Sequence, residues 1–162
     1  MERQLIFLDT EFTSFDAPEL ISIGLASSTG EEFYAELPFE VEACSPFVRE
    51  VIIPLLGQDP LAPCTNDELP LRLWSWLKAV RSRDEVVVCL GSQHDEILFR
   101  RIFDESPPAF LQFRSLGYRN INELFRYEFH AKNSLPEHHA LNDARAMRYA
   151  FREAPLSPNR GN

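Results

Sequence analysis

The sequence predicts an α/β domain on a mixed five-stranded sheet, in which a three-strand antiparallel meander leads into parallel strands with helices on both faces. Three observations carry this prediction. Residues 5–37 hold three short apolar or alternating runs separated by turn-rich segments. A β-branched run at 86–90 lies between stretches of helical spacing. The last third of the chain repeats apolar residues every three to four positions, ending in a clear helical face over 140–151. With 162 residues, 44% of them hydrophobic, the chain can bury one sizeable core. A single domain over 1–155 is expected, with a frayed tail at 156–162.

The first strand is expected over Leu5–Phe12, where large apolar residues give way to Asp9 and Glu11. Side chains alternate along a strand, so these two acids share a face. Glu19–Ala26 reads as a second strand, Ser27–Gly30 as a hairpin turn and Glu31–Leu37 as a third strand. Ser45-Pro46 is a cap followed by proline, so a short helix is expected from Pro46 to Ile53, stopping before Pro54. Residues 54–64 carry three prolines and a glycine and read as loop. Thr65 or Asn66 can cap a helix whose apolar positions are Leu69, Leu73, Trp76 or Leu77, and Val80. Val86–Leu90 is a strand covered on both faces. Gly91-Ser92 then turns into a helix that begins near Asp95. Residues 110–121 hold a fifth strand, and Ile121–Phe125 starts a helix with its exit at Phe129–Asn133. His130 has no evident partner and reads as a surface or packing residue.

Composition narrows the function. No apolar run is long enough to cross a bilayer, and the first residues lack a signal-peptide pattern. Cys44, Cys64 and Cys89 are few and scattered, which fits reduced thiols in a cytoplasm rather than a disulfide framework. The net charge is −9, but it is unevenly spread. Residues 1–71 hold two basic and 14 acidic residues, whereas residues 72–162 hold 14 basic and 11 acidic ones. The second half could therefore supply a phosphate-binding face, beside the ordinary reading of its arginines as solvated helix faces; in a dimer, Arg100, Arg101, Arg114 and Arg119 are candidates to be lent to the other subunit's groove.

Acids recur where strands end or helices begin. Asp9 and Glu11 close the first strand, Asp95 follows the fourth, and Asp143 lies in the first turn of the last helix. Asp95 suits a helix cap as well as it suits a ligand, and both readings stand at this point. Four carboxylates converge only around cations, and oxygen donors of this kind suit Mg²⁺ or Mn²⁺. Two such ions can clamp a scissile phosphate. His138, just before the last helix, titrates near neutral pH and suits a general base.

Phe7–Thr13 resembles the first motif of the DEDD superfamily of 3′-to-5′ exonucleases. His138–Ala144 resembles the third motif of its DEDDh, DnaQ-like branch, which reads His, four residues, Asp. That spacing selects His138 over His139 as the base, and Asp95 is the candidate for the second motif. A closer similarity is to a small bacterial group of single-domain exoribonucleases. Its members share Asp-Thr-Glu-Phe (here 9–12), Glu-Leu-Ile-Ser-Ile-Gly (19–24) and His-His-Ala-Leu (138–141).

The resemblance implies an RNase H-like fold and two Mg²⁺ or Mn²⁺ ions held by Asp9, Glu11, Asp95 and Asp143. It further implies release of nucleoside 5′-monophosphates from RNA 3′ ends, a substrate site at Thr10, Glu11, Phe12 and His138, and room for a homodimer. Phe12 would stack on the terminal base, or else pack in the core. The competing readings are a 3′-to-5′ exonuclease on DNA or very short oligonucleotides, and an RNase H-like nucleic-acid-binding module without catalysis.

Overall fold

The computed structural model describes residues 3–153, so the expected tail lies outside the described residues. Five strands form one sheet in the order β3-β2-β1-β4-β5. They are β1 (Gln4–Phe12), β2 (Leu20–Ser27), β3 (Glu32–Glu36), β4 (Val86–Leu90) and β5 (Leu111–Ser115). β1 is central, antiparallel to β2 and parallel to β4. β2 pairs antiparallel with β3, and β4 pairs parallel with β5. This is the mixed sheet expected from sequence.

Strand alternation sorts the core into two layers. Ile6 and Leu8 face Leu73 and Leu77 of α1 (Leu69–Val80) and Phe99 of α2 (Gln93–Ile102). Phe7, with Val87 and Cys89, faces the opposite layer and meets Met147 and Ala150 of α4 (Ala140–Ala150). α3 (Glu123–Asn133) packs on α4. All five residues of β4 are buried, as a strand covered on both faces requires.

Three local expectations need correction. The segment after Pro46 is helical but is wound as a π-turn over Val48–Ile52. It does not stop before Pro54 but continues as a 3₁₀ turn over Ile53–Leu55, because Pro54 stands at the start of that turn, where its missing N–H costs nothing. α3 begins at Glu123 rather than Ile121, because Asn122 Oδ1 accepts the N–H of Phe125 and caps the helix. Phe129–Asn133 is not an exit but the last turn of α3, and the chain leaves at Ser134 in a left-handed conformation (φ 53°).

The approach of α4 to the sheet positions the site. Gly24 lies opposite Asp9 in the β1–β2 register. A Cβ at Gly24 would fall on Leu141 N and within 2.5 Å of Ala140 C and Leu141 Cα, so the backbone of α4 rests directly on β2. Two arginines fasten the same helix to the sheet edge. Arg145 Nε and Nη2 donate to Glu32 at 2.7 and 2.9 Å, and Arg148 Nη2 donates to Glu32 at 2.9 Å.

Gly24→Ala is expected to push α4 off the sheet and to cost about 1–3 kcal/mol, the usual range for overpacking. For a chain of this size that lowers Tm by roughly 2–4 °C per kcal/mol. Calorimetry checks it; an unchanged Tm would mean that the helix does not need this contact.

Candidate metal centre

The centre lies at the C-terminal end of β1. Alternation places Phe7, Asp9 and Glu11 on the α4 face of the sheet and Thr10 on the α1–α2 face. Asp143 enters from the first turn of α4, which Gly24 admits to close range. Its Oδ2 accepts the backbone N–H of His138 at 3.1 Å. That bond helps hold His138 in a left-handed conformation (φ 63°) that residues other than glycine seldom adopt. Donor atoms of Glu11, His138 and Asp143 lie within 4.8 Å of one another. Asp9 Oδ2 and Asp143 Oδ1 are buried and accept no hydrogen bond.

Asp95 reaches the same cleft differently. Its Oδ1 accepts the N–H of Thr10 at 3.2 Å and the Thr10 hydroxyl at 2.6 Å. Its Oδ2 accepts the N–H and hydroxyl of Ser92, each at 3.1 Å, while Ser92 Oγ accepts the N–H of Asp95. Of the two readings left open for Asp95, the helix cap is the one seen directly. It completes a capping box at the start of α2 and also lines the cleft with Asp9, Glu11 and Asp143. It stands outside the compact group formed by Glu11, His138 and Asp143. The polar hydrogens of Thr10, which sequence places with the substrate, are committed to Asp95.

The cleft has a volume of about 680 Å³. Its carboxylates are held far from their ordinary protonation range. Burial, then the charges of Asp95, Asp143 and Glu11, raises Asp9 well above the usual carboxylate value. Burial, then Asp143 and Asp95, raises Glu11 to about 8. Burial raises Asp143 to about 6 against the lowering effect of His130 and His138. Burial also raises Asp95, offset in part by its bonds from Thr10 and Ser92. Buried carboxylate oxygens without partners, in a crowd of mutually repelling acids, fit hard divalent cations such as Mg²⁺ or Mn²⁺. Asp9, Glu11 and Asp143 are placed to hold such an ion, with Asp95 anchored beside them.

The two histidines of the third motif diverge. His138 is exposed and faces the acids, with the Phe47 ring 5.1 Å away edge-on. His139 caps α4, its Nδ1 accepting the N–H of Asn142, and its ring lies 4.6 Å from that of Tyr34. Phe12 lines the cleft and stacks on His94 at 5.3 Å, with the exposed Phe15 edge-on to both rings.

Sequence reading missed two residues. His130 is buried, which fits the packing alternative rather than the surface one, but it does have partners: its Nδ1 donates to the Leu135 carbonyl at 2.9 Å, and its Nε2 stands 3.3 Å from Asp143 Oδ1. Helical spacing along α3 could have shown that it faces inward, but nothing in spacing links residue 130 to residue 143. Arg126 also lines the cleft. The four arginines singled out from sequence for a partner subunit's groove lie outside this cleft. Arg100 pairs with Glu96, Arg101 donates to the Pro18 carbonyl, Arg114 pairs with Glu153, and Arg119 lies against Tyr118.

No protein-family model matches the chain, and no curated protein matches it by sequence. Solved structures do match. The chain resembles the crystal structure of cell-death related nuclease 4 (CRN-4) with a TM-score of 0.55 and 16% identity, over 90% of this chain and 61% of that one. It resembles Pop2p of S. pombe, in a form with Mg²⁺ and Mn²⁺ bound, with a TM-score of 0.60 and 14% identity, over 90% of this chain and 79% of that one. The chain thus spans about three fifths of the length of CRN-4. At these identities the likeness establishes the fold, which is RNase H-like.

The raised carboxylates set a pH dependence. At a pH below about 4, near the ordinary carboxylate value, both folded and unfolded chains hold these protons and nothing is lost. As pH rises, the unfolded chain ionises first, so it binds fewer protons and stability falls. The fall continues through about 6 for Asp143 and about 8 for Glu11. Thermal melts in chelator are therefore expected to show a lower Tm near pH 8.5 than near pH 6. Added Mg²⁺ or Mn²⁺ should raise Tm more at the higher pH. A Tm that rises with pH in chelator contradicts this electrostatic account.

Proposed function

We propose that the protein is a metal-dependent 3′-to-5′ exonuclease that acts on RNA and releases nucleoside 5′-monophosphates. The observation that carries the reading is the convergence of Glu11, His138 and Asp143 donor atoms within 4.8 Å, beside the partnerless oxygen of Asp9. The cleft is open enough to admit a chain end, and the fold is shared with a nuclease and with a protein that binds Mg²⁺ and Mn²⁺. RNA rather than DNA rests on the motif resemblance.

Asp9, Glu11, Asp95 and Asp143 would hold two divalent ions. Such ions supply Lewis-acid stabilisation of charge on the phosphate and lower the pKa of water at the site. The protein's own groups do the rest. His138, exposed at the cleft and held by its backbone bond to Asp143, accepts the proton of the attacking water. Phe12, which lines the cleft and packs with His94 and Phe15, meets the terminal base. Thr10 acts through Asp95, which it holds by two bonds. Three buried free thiols suit a reducing, cytoplasmic setting.

Purified protein with Mg²⁺ or Mn²⁺ is expected to shorten 5′-labelled RNA from its 3′ end, and DNA less well. Asp9→Ala should abolish cleavage while leaving the metal-free protein as stable as before or more so, since one of several repelling acids is gone. If Asp9→Ala degrades RNA at the normal rate, the site is misassigned.

The two histidines should separate cleanly. His138→Ala is expected to lose roughly 10²-fold or more in rate with its melting temperature retained. His139→Ala, which removes a helix cap, should cost about 1 kcal/mol of stability and keep most of the rate. Equal losses of rate would reopen the choice of base.

A further inference from the structure

Five carboxylates line the cleft, yet among the described residues only one lysine or arginine does: Arg126. It projects from α3, and its Nε and Nη2 both reach Glu123 Oε2 at 2.8 Å. That grip orients the guanidinium, and no acceptor for Nη1 is found among the described residues. Arg126 forms no ion pair within 4.0 Å with Asp9, Glu11, Asp95 or Asp143, although its charge lowers Asp143 less than those of His130 and His138 do. It therefore lines the cleft without being paired to the acids at the end of β1.

We propose that Arg126 is a phosphate-binding residue, and that its ligand is the phosphodiester one nucleotide upstream of the scissile bond. This rests on the exonuclease reading and adds to it a second subsite. The scissile phosphate must sit at the acids, which carry their own cations. A single-stranded substrate then presents its next phosphate further along the same cleft, and Arg126 is the one lysine or arginine among the described residues that line it. Arginine offers paired donors suited to a phosphate, and Glu123 orients them. With one such cation in the cleft, affinity should depend on salt only weakly.

The test compares a dinucleoside monophosphate, which holds only the scissile phosphate, with a trinucleoside diphosphate, which adds the second. Steady-state cleavage with Mn²⁺ is measured for wild type, Arg126→Ala, Arg126→Lys and Glu123→Gln. The wild type should show a KM roughly 10- to 30-fold lower for the trinucleotide, as a charge-assisted contact allows. Arg126→Ala should abolish that difference with kcat unchanged, and the slope of log KM against log salt should drop by about 0.7. Arg126→Lys should restore part of the preference, and Glu123→Gln should lose part of it.

Mn²⁺ titration by calorimetry separates the competing role. If Arg126 merely offsets the charge of Asp143, Arg126→Ala will bind Mn²⁺ more tightly and leave both KM values alone. That result overturns the proposal, as does an equal loss on both substrates. If the wild type cleaves neither substrate, the exonuclease reading itself fails.

Discussion

Burial of four acids in one cleft, with mutual repulsion added at Asp9 and Glu11, governs this molecule. Asp9, Glu11, Asp95 and Asp143 line one cleft, and burial alone would push each towards its neutral form. Nothing within the cluster stabilises so much negative charge. Contacts outside it must hold the acids in place, and those contacts account for most of the unusual features of the fold. Glu32 binds both arginines of α4 and so ties the helix carrying Asp143 to the edge strand. Bonds from Thr10 and Ser92 reach both oxygens of Asp95 and fix it from the opposite side of the sheet. His130 closes the back of Asp143. Partners of this kind orient metal ligands and keep them basic.

The Asp-Thr-Glu triplet has a physical logic that follows from the pleat. β1 is the central strand, so its two faces look towards different layers. Asp9 and Glu11 turn towards α4, while Thr10 turns towards α2 and takes hold of Asp95. One three-residue stretch thus gathers acids delivered by two helices that never touch the same face. The middle residue is no spacer: it is the link through which the α2 acid is registered against the strand. Gly24 serves the same end from β2, since any side chain there would occupy the space of the α4 backbone.

Much of this was legible in the sequence, because it depends on local period and chain order. The strands, the fully buried run at 86–90 and the last helix follow from apolar spacing. The strand-end positions of the acids follow from the same pattern, and Ser92 with Asp95 is a short-range cap. Contacts that depend on tertiary approach were not legible. The link between His130 and Asp143 spans the turn between α3 and α4 and leaves no periodic trace. The π-turn at Val48–Ile52 and the 3₁₀ turn through Pro54 come from packing against Ile21 and Cys44, which overrides the ordinary stop signal of proline.

Fourteen basic residues in the second half suggested a cationic face. In the fold, Arg72, Arg100, Arg114, Arg126, Arg145 and Arg148 are each engaged by a glutamate, which offsets part of that charge locally. If the protein handles RNA, an overall charge of −9 gives it no broad attractive field, whose reach salt limits to about 10 Å in any case. Attraction would then be strongest in the cleft, supplied by cations held among the acids and by Arg126. On the exonuclease reading, such a molecule grips a chain end firmly and the remainder weakly. That suits an enzyme that removes one terminal nucleotide at a time and must let the strand advance between cuts.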